Sequence, residues 1–197
     1  MIVIGLTGGI GSGKTTVLKM FEAKGITTYN ADLEARKLIN TSPEIRENLE
    51  RLFGKDAYLG EELNRPFIAS IVFSDKEKLA ALNKATHPSL HHHFKTFLAR
   101  QSGIYIVYEA AILLESEGYK LCDYIITVVA SSEEKLKRIQ LRDGMTVSEI
   151  RARMNSQMSD ALRIEKSDFV ITNNSKSGTK QQVACLHDLL SDLSIVS

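Results

Sequence analysis

Short apolar runs alternate with longer amphipathic segments along the chain. The runs are rich in Ile, Val, Leu, Tyr and Phe, as is typical of strands buried in a parallel sheet, and they span residues 2–6, 26–30, 104–108, 124–129 and 169–172. Most segments between them carry apolar residues at intervals of three and four, which predicts helices. The alternation predicts an α/β fold, a five-stranded parallel sheet covered by helices on both faces.

One long stretch, residues 42–100, interrupts this alternation and has a wholly helical pattern. Ser42-Pro43 and a capping box from Ser74 to Glu77 begin two predicted helices, and Thr86-His87-Pro88 is predicted to break the second. The position of the stretch between the second and third strands favours an inserted substrate-binding subdomain. A purely structural helical bundle is the alternative.

Two further capping boxes, Ser131 to Glu134 and Thr146 to Glu149, begin helices between the fourth and fifth strands. One face of the second predicted helix carries apolar residues, including Met154 and Met158, and we expect these methionines to be core residues. The charges from Lys135 to Arg163 have mixed signs, which favours a solvated helix face.

The stretch that organises the chain reads GGIGSGKT from Gly8 to Thr15 and satisfies the pattern G-x-x-x-x-G-K-S/T. It follows the first predicted strand and precedes a predicted helix, as this phosphate-binding loop requires. Its glycines let backbone N–H groups turn toward phosphate oxygens. They are Gly8, Gly9, Gly11 and Gly13. A glycine-rich turn would explain these glycines but not Lys14 and Thr15 at this spacing.

The side chains of the loop suit a nucleotide carried with Mg²⁺. Lys14 would place its charge on the β- and γ-phosphates of ATP, and the hydroxyl of Thr15, or of Thr16 beside it, would bind the metal. Ser12 would contribute through its backbone. The sequence therefore predicts ATP and Mg²⁺ as cofactors.

Composition narrows the function further. Of the 197 residues, 25% are charged and 43% are hydrophobic, and the net charge of +1 gives no indication of a nucleic-acid partner. No apolar run approaches the roughly 20 residues of a membrane helix. We therefore expect a cytoplasmic protein. Cys122 and Cys185 lie in apolar contexts far apart in sequence, which favours reduced thiols.

Motifs of two other nucleotide-binding classes are absent from the sequence, namely the Asn-Lys-x-Asp of guanine-nucleotide switches and the Leu-Ser-Gly-Gly-Gln of transporter ATPases. A short chain with a helical insert and an arginine-bearing helical pair favours a small-molecule kinase. In such an enzyme an arginine-rich lid closes over ATP. Asp32 follows the second predicted strand, at the sheet edge where ligands bind, and Arg36 lies one helical turn beyond it.

The chain resembles the dephospho-coenzyme A kinase family along nearly its whole length. The resemblance rests on TGGIGSGKTT at 7–16, NADLEAR at 30–36, LNKATHP at 82–88, EAAILLE at 109–115, RDGMTVSEIRARMNSQM at 142–158 and TNNS at 172–175. It implies a P-loop NTPase fold and ATP-dependent phosphorylation of the ribose 3′-hydroxyl of dephospho-coenzyme A, the last step of coenzyme A synthesis. The domain prediction is a single kinase domain over 1–197, with a core of 1–41 and 101–197, the insert at 42–100 and a lid at about 138–163.

The resemblance also implies roles for residues on the acceptor side. Asp32 would be the general base for the 3′-hydroxyl, with Arg36 near the acceptor and His87 shaping the coenzyme pocket. Glu109 stands where the family usually has aspartate, and would contact the substrate and hold Mg²⁺ through water. Asn30 replaces a common aspartate and Ala111 a proline. A helix-capping Asp32, a surface ion pair of Arg36 and a helix-breaking His87 are the structural alternatives.

On the nucleotide side, the resemblance implies that Arg142 and Arg153 are lid residues that contact ATP phosphates, with Arg142 acting in catalysis together with Lys14 and Asp32. Arg138 and Arg151 lie in the same region, where helix-surface arginines need no functional explanation. Asn173 and Asn174 would lie in the adenine loop, or would form a simple turn.

Two other functions remain open. One is a different P-loop kinase, acting on a nucleoside, a nucleotide or a small acid. The other is a nucleotide-dependent binding protein whose helical insert docks a partner. The sequence shows no obligate protein partner, and we expect a small molecule as the substrate.

Overall fold

The computed structural model describes residues 1–73 and 75–196. In chain order its strands are β1 (Ile2–Thr7), β2 (Thr27–Asn30), β3 (Tyr58–Leu59), β4 (Glu62–Leu63), β5 (Tyr105–Glu109), β6 (Tyr124–Val129) and β7 (Phe169–Thr172). The α-helices are α1 (Lys14–Glu22), α2 (Ala31–Thr41), α3 (Pro43–Phe53), α4 (Arg65–Val72), α5 (Lys76–Leu98), α6 (Ser132–Asp143), α7 (Val147–Asn155), α8 (Asp160–Glu165) and α9 (Lys176–Val196). Short 3₁₀ helices span Lys55–Ala57 and Glu117–Leu121.

The chain divides into two compact units. The first consists of Met1–Asn30 with Ser102–Ser197, and the second of Ala31–Gln101. Helix α2 therefore belongs to the second unit, although the sequence assigned residues 31–41 to the nucleotide-binding core. Within the second unit α2 contacts α3 and α5. Across residues 1–73 and 75–196, no helix combines the length and the apolar character needed to cross a membrane.

The first unit is built on a parallel sheet of five strands in the order β2-β5-β1-β6-β7. This confirms the predicted sheet. Strand β1 is central, with Ile4 in register with Val107 on one side and Tyr124 on the other. The loop that follows β1 therefore begins at the middle of the carboxyl edge, where parallel sheets bind ligands.

Helices cover both faces of this sheet, as predicted. On one face α1 and α9 contribute Val17, Phe21, Val183 and Leu190 to a core cluster with apolar residues of β1, β5, β6 and β7. On the other face α8 contacts β6, and the 3₁₀ helix at Glu117–Leu121 contacts β1.

The second unit packs α3, α4 and α5 around a separate apolar cluster, and it is not wholly helical as the sequence suggested. Strands β3 and β4 form an antiparallel hairpin in which Leu59 is in register with Glu62. Gly60, in the two-residue turn, has φ of 63°, in the left-handed region that such turns require. Buried Tyr58 fixes the hairpin because its hydroxyl donates a 2.7 Å bond to the Ile39 carbonyl.

Helix α5 is continuous through Pro88, so the predicted break at Thr86-His87-Pro88 is wrong. A proline inside a helix costs about 3 kcal/mol. Contacts of α5 with α2, α3 and α4 offset this cost. The capping box predicted at the start of this helix includes Ser74, which lies outside the described residues. The Asp75 carboxylate caps α5, accepting from the N–H groups of Glu77 and Lys78.

The segment after the Thr146 capping box forms two helices, α7 and α8, where the sequence suggested one helical face. The cap itself is confirmed: the Thr146 hydroxyl accepts the Glu149 N–H, and the Glu149 carboxylate accepts the Thr146 N–H. The Thr146 hydroxyl also donates to the Glu149 carboxylate, and this bond, together with the one from the Thr146 N–H, lowers the pKa of Glu149. Ser159 then caps α8 by accepting the Leu162 N–H, which explains the new start.

The edge of the sheet at β7 is partly covered by a side chain of α9. The Gln182 amide accepts the Thr172 N–H at 2.9 Å and donates to the Thr172 carbonyl at 2.9 Å. The side chain thereby bonds the N–H and the C=O of one residue of the outer strand, on the side away from β6.

Candidate active site

The loop from Gly8 to Gly13 joins central β1 to α1. Helix α1 begins at Lys14 with a glycine as its N-cap, so no side chain caps its first turn. The Lys14 ammonium donates a 2.7 Å bond to the Gly8 carbonyl and therefore lies across the loop. Thr15 and Thr16, in the first turn, are exposed. A helix N-terminus with an ammonium beside it is a favourable environment for phosphate groups.

The second half of the loop is held by the buried side chain of Asn173, which follows β7. Its amide donates to the Ser12 carbonyl at 2.8 Å and accepts from the Thr179 hydroxyl at 2.8 Å. Gly13 has φ of 92°, and a Cβ there would lie 2.1 Å from the Asn173 amide nitrogen. Gly13 is thus required both by its backbone conformation and by the close approach of Asn173.

Arg138 of α6 reinforces this support. Its guanidinium donates to the Asn173 carbonyl at 2.8 Å and to the Ser12 carbonyl at 3.3 Å. The neighbouring Asn174 is exposed, and its side-chain oxygen accepts the N–H of Ser131, the N-cap of α6, at 2.9 Å. Both asparagines therefore bond to elements around the loop, and Arg138 contacts the loop directly.

The first half of the loop borders a cavity of about 460 Å³. Its walls come from the loop, α6 and the segment that joins α7 to α8, and they include Gly9, Ile10, Lys135, Met154, Gln157, Met158, Asp160 and Arg163. The methionines line this cavity and are only partly buried, so their assignment to the core is wrong.

Two cations in the wall of the cavity are buried, contrary to the solvated face predicted for residues 135–163. Lys135 is 4% exposed and forms an ion pair with Asp160. Arg163 is 1% exposed, bonds to the Met158 carbonyl and donates to the Glu115 carboxylate at 2.8 Å. Buried charges require such partners, and both cations have them.

The predicted lid arginines lie on exposed helix ends. Arg142 is in the last turn of α6 and donates to both carboxylate oxygens of Asp143, at 2.7 and 2.8 Å. Hydrogen bonding from Arg142 lowers the pKa of Asp143, and the same bond raises the pKa of Arg142. Arg153 is in the last turn of α7, and Arg151 is exposed on the same helix.

Glu109 ends β5, in register with Leu6 of central β1. It is 4% exposed and accepts a 2.7 Å bond from the Asn30 side chain, which ends neighbouring β2. The Asn30 amide therefore satisfies one oxygen of the buried glutamate.

The other predicted acceptor-side residues belong to the second unit. Asp32 lies in the first turn of α2, two residues after β2 ends, and exposed Arg36 lies one turn further along α2. His87 lies within α5, where its ring stacks on His91 at 6.1 Å between centroids. His87 is thus part of a continuous helix and does not end one.

Sequence reasoning missed Gln157, and it judged Lys135 and Arg163 to be solvated. No local pattern identifies their partners, because Arg163 pairs with a residue 48 positions away and Gln157 with one 147 positions away. The neighbours of Arg163 in sequence do not indicate its burial either. Leu162 and Ile164 are apolar but exposed, while the charged residue between them is buried.

Comparison with known proteins gives a consistent result. A family model described as dephospho-CoA kinase matches residues 2–179. A dephospho-CoA kinase from Listeria innocua is 38% identical over 185 residues, which cover 91% of this chain and 92% of the relative.

Solved structures agree. One from Thermus thermophilus superposes with a TM-score of 0.85 at 29% identity, over 98% of this chain and 97% of that one. The dephospho-CoA kinase from Campylobacter jejuni superposes with a TM-score of 0.70 at 25% identity, over 96% and 97%. The chain therefore belongs to the dephospho-CoA kinase family, and it is a P-loop kinase that uses a nucleotide.

Proposed function

We propose that this protein transfers the terminal phosphoryl group of ATP to the ribose 3′-hydroxyl of dephospho-coenzyme A, giving coenzyme A and ADP. This is the last step of coenzyme A synthesis, and we expect it to take place in the cytoplasm. The observation that carries the proposal is the phosphate loop at the carboxyl end of central β1, in a chain of this family.

ATP would bind with its β- and γ-phosphates against the backbone of residues 8–15. Lys14 would exchange the Gly8 carbonyl for phosphate oxygens, because an ammonium gains more from an anion than from a neutral carbonyl. The N-terminus of α1 adds the favourable end of the helix dipole. Asn173 and Arg138 would hold the loop in this conformation from the Ser12 side.

The residues also fit Mg²⁺, which prefers oxygen ligands and retains several waters. The Thr15 hydroxyl lies in the first turn of α1 beside the loop, and the buried Glu109 carboxylate lies at the end of the neighbouring strand. These two groups would hold the ion, Glu109 through water. When bound with ATP, Mg²⁺ supplies positive charge to the phosphates.

On the acceptor side, Asp32 would accept the proton of the 3′-hydroxyl and align its oxygen for in-line attack. Its place in the first turn of α2, directly after a strand of the parallel sheet, supports this role. Arg36, His87 and Glu109 would bind the acceptor, as their positions in the family motifs imply.

Arg142 and Arg153 would stabilise the negative charge of the transferring phosphoryl group. Arg142 is held by Asp143 in an exposed ion pair, and such pairs contribute little to stability. Arg142 can therefore exchange Asp143 for a phosphate group at little cost in free energy. No covalent enzyme intermediate is required.

The decisive experiment is mass spectrometry of a reaction that contains purified protein, Mg-ATP and dephospho-coenzyme A. We expect a product heavier by one phosphate. Asp32→Asn should lower turnover by roughly 10²- to 10⁴-fold with nucleotide binding retained, since this is the usual contribution of a general base. Other acceptors tested in parallel, such as nucleosides, nucleotides and small acids, should remain unmodified.

A matched control is Glu34→Gln, which makes the same carboxylate-to-amide change in the first turn of α2. Glu34 pairs with exposed Lys37, so we expect turnover to stay close to wild type. If the protein is folded and binds nucleotide but forms no product, dephospho-coenzyme A is not its acceptor. Equal losses in the two variants would overturn the role of Asp32.

A further inference from the structure

The side chain of Gln157, in the segment between α7 and α8, contacts the phosphate loop. Its amide oxygen accepts the backbone N–H of Ile10 at 2.9 Å. Ile10 is the third residue of the loop motif that runs from Gly8 to Thr15. A residue that follows α7 therefore holds a peptide of the loop that receives the nucleotide.

Other polar groups converge on the same peptide. A Cβ at Gly9 would lie 3.4 Å from an Asp160 carboxylate oxygen, 3.5 Å from an Arg163 guanidinium nitrogen and 3.6 Å from the Gln157 amide oxygen. The Gly9–Ile10 peptide thus lies against a polar surface made by the start of α8 and the residues before it.

This surface is well anchored in the first unit. Asp160 is paired with buried Lys135 of α6, and Arg163 joins the Met158 carbonyl to the Glu115 carboxylate. Lys135 and Arg163 are both less than 5% exposed, whereas the Asp160 and Glu115 side chains are 31% and 27% exposed, so each pair is held at a buried cation. Gln157 therefore extends from a fixed support rather than from an exposed helix end.

A fixed contact at Ile10 matters because the rest of the loop is rich in glycine. Glycine has more conformational freedom to lose than any other residue, so a free loop would pay an entropy cost when phosphate orders it. A contact that orders one peptide beforehand reduces that cost and strengthens binding. Asn173 and Arg138 order the second half of the loop through their bonds to the Ser12 carbonyl, and Gln157 orders the first half through its bond to the Ile10 N–H.

We propose that Gln157 is a positioning residue: it fixes the Gly9–Ile10 peptide and thereby sets the N–H groups of the following residues to receive the phosphates of the nucleotide. It acts through the loop and does not itself touch the phosphates. The proposal concerns only nucleotide binding, which membership of this kinase family implies. It does not depend on the identity of the acceptor.

The test compares two glutamines that bond to backbone N–H groups at the same 2.9 Å, Gln157 to Ile10 and Gln182 to Thr172. Both are replaced by methionine, which has a similar length and no amide. Isothermal titration with ADP should show affinity about 3- to 10-fold weaker for Gln157→Met, the usual effect of one hydrogen bond. Gln182→Met should bind ADP within twofold of wild type, because the bonds of Gln182 within residues 1–73 and 75–196 go to strand β7 and to its own helix.

Gln157→Asn is a second variant, which stays polar but is one methylene too short to reach the Ile10 N–H. It should weaken ADP binding like Gln157→Met, and circular dichroism should show that both remain folded. Unchanged ADP affinity in the folded variants would overturn the proposal. So would equal weakening by Gln182→Met, since that result would indicate a general loss of order. A wild-type protein that binds ADP but phosphorylates no acceptor would contradict the proposed reaction and leave this comparison valid.

Discussion

Replacing Asn173 by aspartate exchanges one NH₂ group for an oxygen at almost constant shape. The Asn173 amide nitrogen donates to the Ser12 carbonyl at 2.8 Å, and its oxygen accepts from the Thr179 hydroxyl. Aspartate preserves the second bond and loses the first. It also places a negative charge against the Ser12 carbonyl oxygen, at a residue that is only 5% exposed.

The magnitude follows from the lost bond and the buried charge. A buried polar group left without its partner costs about 1–3 kcal/mol, and burial of the new charge adds to this. Arg138, which donates to both the Asn173 and the Ser12 carbonyls, offsets part of the charge. We expect a loss of about 3 kcal/mol in the free energy of unfolding, or about 6–12 °C in melting temperature for a chain of this size.

The neighbouring residue provides a matched control. The Asn174 oxygen accepts the N–H of Ser131 at the start of α6, and aspartate keeps this acceptor and adds a charge that the helix N-terminus favours. Asn174→Asp should therefore change the melting temperature by no more than about 2 °C in either direction.

The assay is thermal unfolding of wild type and both variants, repeated at decreasing pH. An aspartate that lacks a donor at position 173 should have a raised pKa in the folded state, so its penalty is present above that pKa and disappears as acidification restores a proton donor. Equal melting temperatures for the two variants, or a penalty at position 173 that grows on acidification, would refute the reasoning.

Two further predictions rest on matched positions. Gly13→Ala and Gly25→Ala both place alanine at positive φ, 92° and 81°, which costs about 1–2 kcal/mol, but only at Gly13 does the new Cβ meet the side chain of Asn173. Calorimetry should show lost ADP binding for Gly13→Ala alone, and similar binding by both variants would contradict the close approach. Burial raises the pKa of the Cys122 thiol to about 12, with a smaller contribution from Asp123, whereas Cys185 is exposed. A thiol reagent at pH 8 should therefore label Cys185 in the folded protein much faster than the partly buried Cys122, and equal labelling rates would contradict this prediction.

The sheet and the phosphate loop could be predicted because their signals are local. Strands buried on both faces are continuous apolar runs, and β1 and β5 are buried along their whole length. The glycines and Lys14 have a fixed spacing that the cradle geometry demands. The Thr146 capping box is a four-residue pattern, and it too is confirmed.

The remaining features depend on tertiary contacts that no window of sequence contains. Pro88 is a strong local signal for a helix end, yet packing within the second unit keeps α5 continuous. Lys135 and Arg163 look like surface residues because their partners, Asp160 and Glu115, are 25 and 48 positions away. The bonds from Asn173, Arg138 and Gln157 to the phosphate loop could not be predicted for the same reason.

The contact between Gln182 and β7 has a consequence for the behaviour of the protein at high concentration. An outer strand with free N–H and C=O groups is a template on which another chain can add a strand, which leads to aggregation. A glutamine side chain carries the same donor and acceptor pair as a peptide, and here it bonds to Thr172 as an adjoining strand would. Helix α9 thus supplies a short substitute for a sixth strand, and it discourages self-association without lengthening the sheet.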